Sequence, residues 1–117
     1  MPLFRAKPTP TVTVQYVSAG EMNDGVLLDV REPDEWAAGH APEAVWIPLG
    51  DLETRRFELP MNKRIVAICR SGARSQQATD ALIAWGFEAA NFEGGMRAWA
   101  EANFPVVTDD GSGGTVT

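Results

Sequence analysis

The chain has one cysteine (Cys69), one histidine (His40) and one tyrosine among its 117 residues. One cysteine forms no internal disulfide, so the fold stands on its core, and a free thiol suits a reducing compartment. The same scarcity excludes a cysteine-rich zinc site. No apolar stretch approaches the roughly 20 residues that cross a bilayer. The opening residues, Met1-Pro2-Leu3-Phe4-Arg5-Ala6-Lys7-Pro8, hold no apolar run of the kind that marks a secretory signal. A cytoplasmic protein without metal, cofactor or membrane partner is expected. The net charge of −6 argues against nucleic acid as a partner. No long apolar run calls for a second copy, and a monomer is expected.

Acidic residues are missing from residues 59–79, where Lys63, Arg64, Arg70 and Arg74 stand. Residues 21–35 show the reverse, with six acids against Arg31 alone. Lys63 and Arg64 read as a solvated face. Arg70 and Arg74 flank the cysteine.

The composition, 44% hydrophobic and 22% charged, is that of an ordinary globular domain. Pro2, Pro8 and Pro10 make residues 1–11 an extended arm. The Gly-, Ser- and Thr-rich residues 108–117 read as a flexible tail. Between them, residues 12–107 alternate strand and helix patterns. Strands are expected at 12–14, 26–30, 45–47, 65–69 and 89–92, and helices at 17–23, 33–38, 49–57 and 75–85. A closing helix carries Met96, Trp99, Ala100 and Asn103 on one face. The helix at 75–85 buries Ala78, Ala81, Leu82 and Trp85 at i, i+3, i+4 and i+7, and Gly86 stands where a left-handed residue ends it. Trp36, Trp46, Trp85 and Trp99 read as packing residues. This alternation argues for an α/β fold with a parallel sheet covered by helices on both faces. Sites in such sheets form beyond the carboxyl ends of the strands.

Cys69 occupies that place. It ends the apolar run Ile65-Val66-Ala67-Ile68 and opens the loop Arg70-Ser71-Gly72-Ala73-Arg74, which leads into a helix at Ser75. A loop that opens a helix directs free N–H groups inward and makes an anion nest. Gly72 lets the loop curl, and the two guanidiniums are forked donors for an oxyanion. All of this favours a thiolate, which is the nucleophilic form. A lone cysteine is otherwise a buried small hydrophobe. No second cysteine is present to resolve a disulfide, and nothing in the sequence brings His40 to Cys69, so His40 reads as structural. Asp29 and Arg31, at a strand end, read as an ion pair that supports the site.

Four segments carry a resemblance: Leu28-Asp29-Val30-Arg31-Glu32, Glu35-Trp36-Ala37-Ala38-Gly39-His40-Ala41-Pro42, Cys69-Arg70-Ser71-Gly72-Ala73-Arg74-Ser75, and Gly94-Gly95-Met96-Arg97-Ala98-Trp99 followed by Pro105-Val106. In this order and spacing they resemble a single rhodanese (thiosulfate sulfurtransferase-like) domain spanning about Val12 to Val107. The resemblance implies a five-stranded, mainly parallel sheet with helices on both faces. It makes Cys69 the catalytic sulfur acceptor and residues 70–75 (Arg70, Ser71, Gly72, Ala73, Arg74 and Ser75) the substrate-binding cradle, with both arginines on the donor's oxyanion. The implied donor is thiosulfate or a persulfide, and the implied acceptor a thiol or a sulfur-carrier protein. Two alternatives stay open. One is a non-catalytic binding or regulatory module of the same fold. The other is a cysteine-dependent phosphatase or arsenate reductase, although related enzymes of that kind carry Cys-x5-Arg and this loop is Cys-x4-Arg. The chain departs from the family pattern at Glu43 and Asn103, where glycine is usual. Left-handed backbone is expected to suit Glu43 poorly and Asn103 well.

Overall fold

The structure is a computed structural model that describes residues 8–117. Residues 1–7 of the expected arm lie outside the described residues. Strands β1 (Thr11–Val12), β2 (Val26–Asp29), β3 (Val45–Trp46), β4 (Ile65–Ile68) and β5 (Ala89–Phe92) alternate with helices α1 (Val14–Ser18), α2 (Pro33–Ala38), α3 (Leu52–Arg55), α4 (Ala73–Ala84) and α5 (Gly95–Glu101). The sheet order is β1-β5-β4-β2-β3, and every pairing is parallel. The five-stranded α/β fold expected from the sequence is therefore present. Among the described residues no helix is long and apolar enough to cross a membrane.

All residues of β4 and β5 are buried, as central parallel strands require. Alternate residues feed two cores. Ile65, Ala67, Cys69 and Ala89 pack with Leu82 and Ala78 of α4 on one face. Val66, Ile68, Ala90 and Phe92 pack with Met96 and Trp99 of α5 on the other. Burying a side chain such as Leu82 or Phe92 contributes about 1.5–3 kcal/mol, so the two faces together fix where β4 ends and where its cysteine stands.

The local differences have physical causes. The first strand is Thr11–Val12, because only these residues pair with Asn91 and Phe92 of β5. Val14, expected in that strand, opens a helix instead, earlier than the expected 17–23. The segment expected as one helix at 49–57 is a short α3 between two 3-10 turns, Leu49–Asp51 and Arg56–Glu58. Residues 108–117, expected as a loose tail, are laid on the domain as a hairpin. Thr108 N donates to Ser112 O at 2.9 Å, Gly114 N to Val106 O at 2.8 Å and Thr115 N to Ala38 O at 2.9 Å. Composition read these residues as a linker, but backbone pairing overrides it. The fit is close because Gly114 lies on Gly39: a Cβ on Gly114 would stand 2.7 Å from the Gly39 Cα.

Two non-glycine residues have left-handed backbone, Glu43 and Asn103, each at φ of 64°. Asn103 closes α5, where Phe104 N reaches back to Trp99 O at 3.2 Å. Asparagine tolerates this conformation, whereas for an exposed glutamate it is a strain of about 1 kcal/mol. Glu43→Gly is expected to stabilise the fold by about 0.5–1 kcal/mol, read as a higher denaturation midpoint at an unchanged slope. A lower midpoint would refute the strain.

Candidate active site

Cys69 follows β4 directly, and its loop is closed by α5 as well as by α4. Met96 N donates to Cys69 O at 2.7 Å, and Arg97 N to Arg70 O at 3.1 Å. These first N–H groups of α5 have no partner within their own helix. They draw the two carbonyls away from the sulfur, which leaves loop N–H groups facing it. The approach needs glycine at position 95, because a Cβ there would stand 2.5 Å from both Cys69 O and Arg70 O.

The sulfur sits at the floor of the loop rather than at its mouth, with Cys69 only 1% exposed. Burial alone fits an inert packing residue as well as a nucleophile. The hydrogen bonds distinguish the two. Gly72 N donates to Sγ at 3.1 Å, and the Ser75 hydroxyl donates to it at 3.2 Å. Burial pushes the Cys69 thiol up, but hydrogen bonds from the Ser75 side chain and from the Ser75, Gly72 and Ser71 backbones outweigh it and hold the thiol below its ordinary value. The two arginines were expected to favour the thiolate together with the loop. In the structure the short-range donors dominate.

Arg74 is engaged by Glu35, which it grips with two hydrogen bonds of 2.7 and 2.9 Å. The Arg74 hydrogen bond holds the Glu35 carboxyl well down, to about 2 against an ordinary 4.5. The pair is thus fully formed above about pH 4.5, and its contribution is lost as pH falls through about 2. Arg70 is exposed, and its Nε donates to Thr117 O at the end of the hairpin. Ala73 opens α4, with Gly72 preceding it at φ of 121°.

Asp29 and Arg31 lie behind the loop, both fully buried. Arg31 Nη2 and Nε donate to Asp29 at 2.7 and 2.9 Å. Arg31 also donates to Gly39 O at 2.8 Å and to Glu35 O at 3.3 Å. The pair joins the end of β2 to α2, and so places the helix whose Glu35 meets Arg74. His40 is structural: its ring stacks on Trp36 with centroids 3.5 Å apart, and Nδ1 lies 2.9 Å from Trp36 O.

Sequence reasoning missed three contributors. Glu35 opens a segment that carries the resemblance, but nothing in the sequence marks Arg74 as its partner. Gly95 had one, a Gly-Gly pair opening a helix, which marks a close backbone approach. The third is Asn91, whose Nδ2 donates to Gly72 O at 3.3 Å.

The rate of Cys69 alkylation, followed against pH, is expected to turn at a midpoint below the free-thiol value of about 8.5. Ser75→Ala is expected to move that midpoint up by roughly one unit, the effect of one charge-assisted hydrogen bond. A wild-type midpoint at or above the free-thiol value would contradict the hydrogen-bond reading.

Residues 13–102 match the family described as Rhodanese-like domain. A protein of Allochromatium vinosum named as a sulfurtransferase is 38% identical over 92 residues, covering 78% of this chain and 86% of that protein. A helix-turn-helix type transcriptional regulator of Mycobacterium tuberculosis is 41% identical over 95 residues; the match covers 79% of this chain and 41% of the regulator. The crystal structure of a rhodanese-related protein from Thermoplasma volcanium superposes with a TM-score of 0.80 at 29% identity, covering 86% of this chain and 99% of that one. The chain belongs to the rhodanese-like domain family.

Proposed function

We propose that the protein is a sulfurtransferase that carries a sulfane sulfur on Cys69. The observation that carries this reading is the pair of hydrogen bonds from Gly72 N and the Ser75 hydroxyl to a buried sulfur. The sulfurtransferase name of the Allochromatium vinosum relative supports it.

In the proposed cycle the Cys69 thiolate attacks the outer sulfur of thiosulfate. A bond forms between these two sulfurs, and the S–S bond within thiosulfate breaks, its electron pair leaving on sulfite. The N–H groups of residues 70–75 cradle the persulfide anion, as they favour any anion at that point. An acceptor nucleophile then attacks the outer persulfide sulfur, and Cys69 departs as the thiolate. In a cell the acceptor is a thiol or a sulfur-carrier protein; cyanide serves in an assay. Arg70 and Arg74 meet the donor's oxyanion. Glu35 offsets much of the Arg74 charge while fixing its direction, and Arg70 has no Asp or Glu side chain within 4 Å among the described residues, its Nε donating to Thr117 O. Arg74 is therefore the fork aimed by an acidic side chain, and Arg70 the guanidinium without one. The second reading, a regulatory module, draws on the Mycobacterium tuberculosis relative.

Incubation with thiosulfate is expected to add the mass of one sulfur atom to the wild type and none to Cys69→Ser, and cyanide is expected to remove it as thiocyanate. No adduct on an intact Cys69 would favour the regulatory module. Arg74→Ala is expected to raise the thiosulfate KM roughly tenfold, the scale of one lost hydrogen bond to a charged group. Arg64→Ala is expected to leave it unchanged, because Arg64 binds Tyr16 and Glu88 instead. Equal effects would show that the wrong cation has been placed at the site.

A further inference from the structure

Asn91 is an unusual residue for its place. It lies in β5 between Ala90 and Phe92, is 9% exposed, and its side chain is only half satisfied. Nδ2 donates to Gly72 O at 3.3 Å, while Oδ1 is buried without a hydrogen-bond partner among the described residues. A buried unpaired acceptor destabilises a fold, so packing does not account for an amide here.

The proton count around Gly72 does. The Ser75 hydroxyl lies 3.2 Å from Cys69 Sγ and 3.2 Å from Gly72 O. A hydroxyl has one proton to donate, and a carbonyl oxygen has two lone pairs to fill. Gln76 N donates to Gly72 O at 3.0 Å, and Asn91 Nδ2 takes the second place. With both lone pairs engaged, the Ser75 proton is left for the sulfur. Of the three groups within hydrogen-bond reach of Gly72 O, Ser75 and Gln76 belong to the start of α4 and travel with the loop. Asn91 alone reaches it from the sheet.

We propose that Asn91 is a positioning residue for the sulfur-transfer site, acting by occupying Gly72 O so that the single Ser75 hydroxyl proton is directed onto Cys69. This deepens the proposed function and rests on it only for the use to which the thiolate is put. The effect travels through Ser75, so it disappears where that hydroxyl is absent. Removing Asn91 also leaves Gly72 O with two donors and removes the orphaned Oδ1, so no unpaired polar group is created.

The test is a double-mutant cycle read on the pH profile of Cys69 alkylation, using the wild type, Asn91→Leu, Ser75→Ala and the double variant. Asn91→Leu is expected to raise the midpoint by roughly half a pH unit, about threefold in thiolate at a fixed lower pH. In the Ser75→Ala background the same change is expected to move nothing. The thermal midpoint of Asn91→Leu is expected to equal or exceed that of the wild type. An equal shift in both backgrounds would show a general displacement of the loop and overturn the proposal, as would no shift in either. Should the larger side chain prevent folding, Asn91→Ala makes the same comparison without added bulk. Failure of the wild type to take sulfur from thiosulfate would overturn the proposed function and leave this readout standing.

Discussion

Ionisation of Cys69 depends on short hydrogen bonds outweighing the burial of its sulfur. A thiolate in a hydrocarbon setting is disfavoured, and Cys69 sits among Leu28, Ala67 and Ala78 in one of the two cores. Donors from Gly72 and Ser75 reverse that balance. They do so because the carbonyls of Cys69 and Arg70 are taken up by the start of α5, so that peptide groups of one loop face opposite ways. Gly95 permits that arrangement and the two packed faces of the sheet hold it in register.

A second set of contacts carries position rather than charge. Asp29 and Arg31 form an ion pair with no exposed surface, and a buried pair of this kind organises structure more than it stabilises it. Its remaining donors seize Gly39 O and Glu35 O, which seats α2. The Glu35 carboxylate then grips Arg74. Aim thus passes from the end of β2, through α2, to a guanidinium on the first turn of α4. The C-terminal hairpin is tied to the same helix by Thr115 N on Ala38 O.

Much of this was legible in the residues. Strong periodicity placed β2, α2, β4, α4 and β5 to within about two residues, because buried parallel strands and amphipathic helices write their burial into the sequence. The left-handed turns at Glu43 and Asn103 were legible only through the family resemblance, in which glycine is usual at both positions. Pairwise meetings across the fold were not legible. Glu35 and Arg74 are 39 residues apart, and Asn91 and Gly72 are 19 apart; nothing local in either segment names its partner. The hairpin at 108–117 was misread because turn-rich composition describes a chain without its neighbours. Here Thr108 and Ser112 close a turn on the Asp110 carboxylate, and Gly39 offers a surface flat enough to pack against. The weight given to the arginines also changed. Charge is visible in a sequence, whereas the direction of an amide or a hydroxyl proton is not.

Diffraction from crystals soaked in thiosulfate reads the cradle itself. One additional sulfur is expected, bonded to Cys69 Sγ and lying within hydrogen-bond distance of N–H groups from residues 71–75. An unmodified Cys69, or an added sulfur directed away from those N–H groups, would contradict the view that the loop is built to hold a sulfur anion.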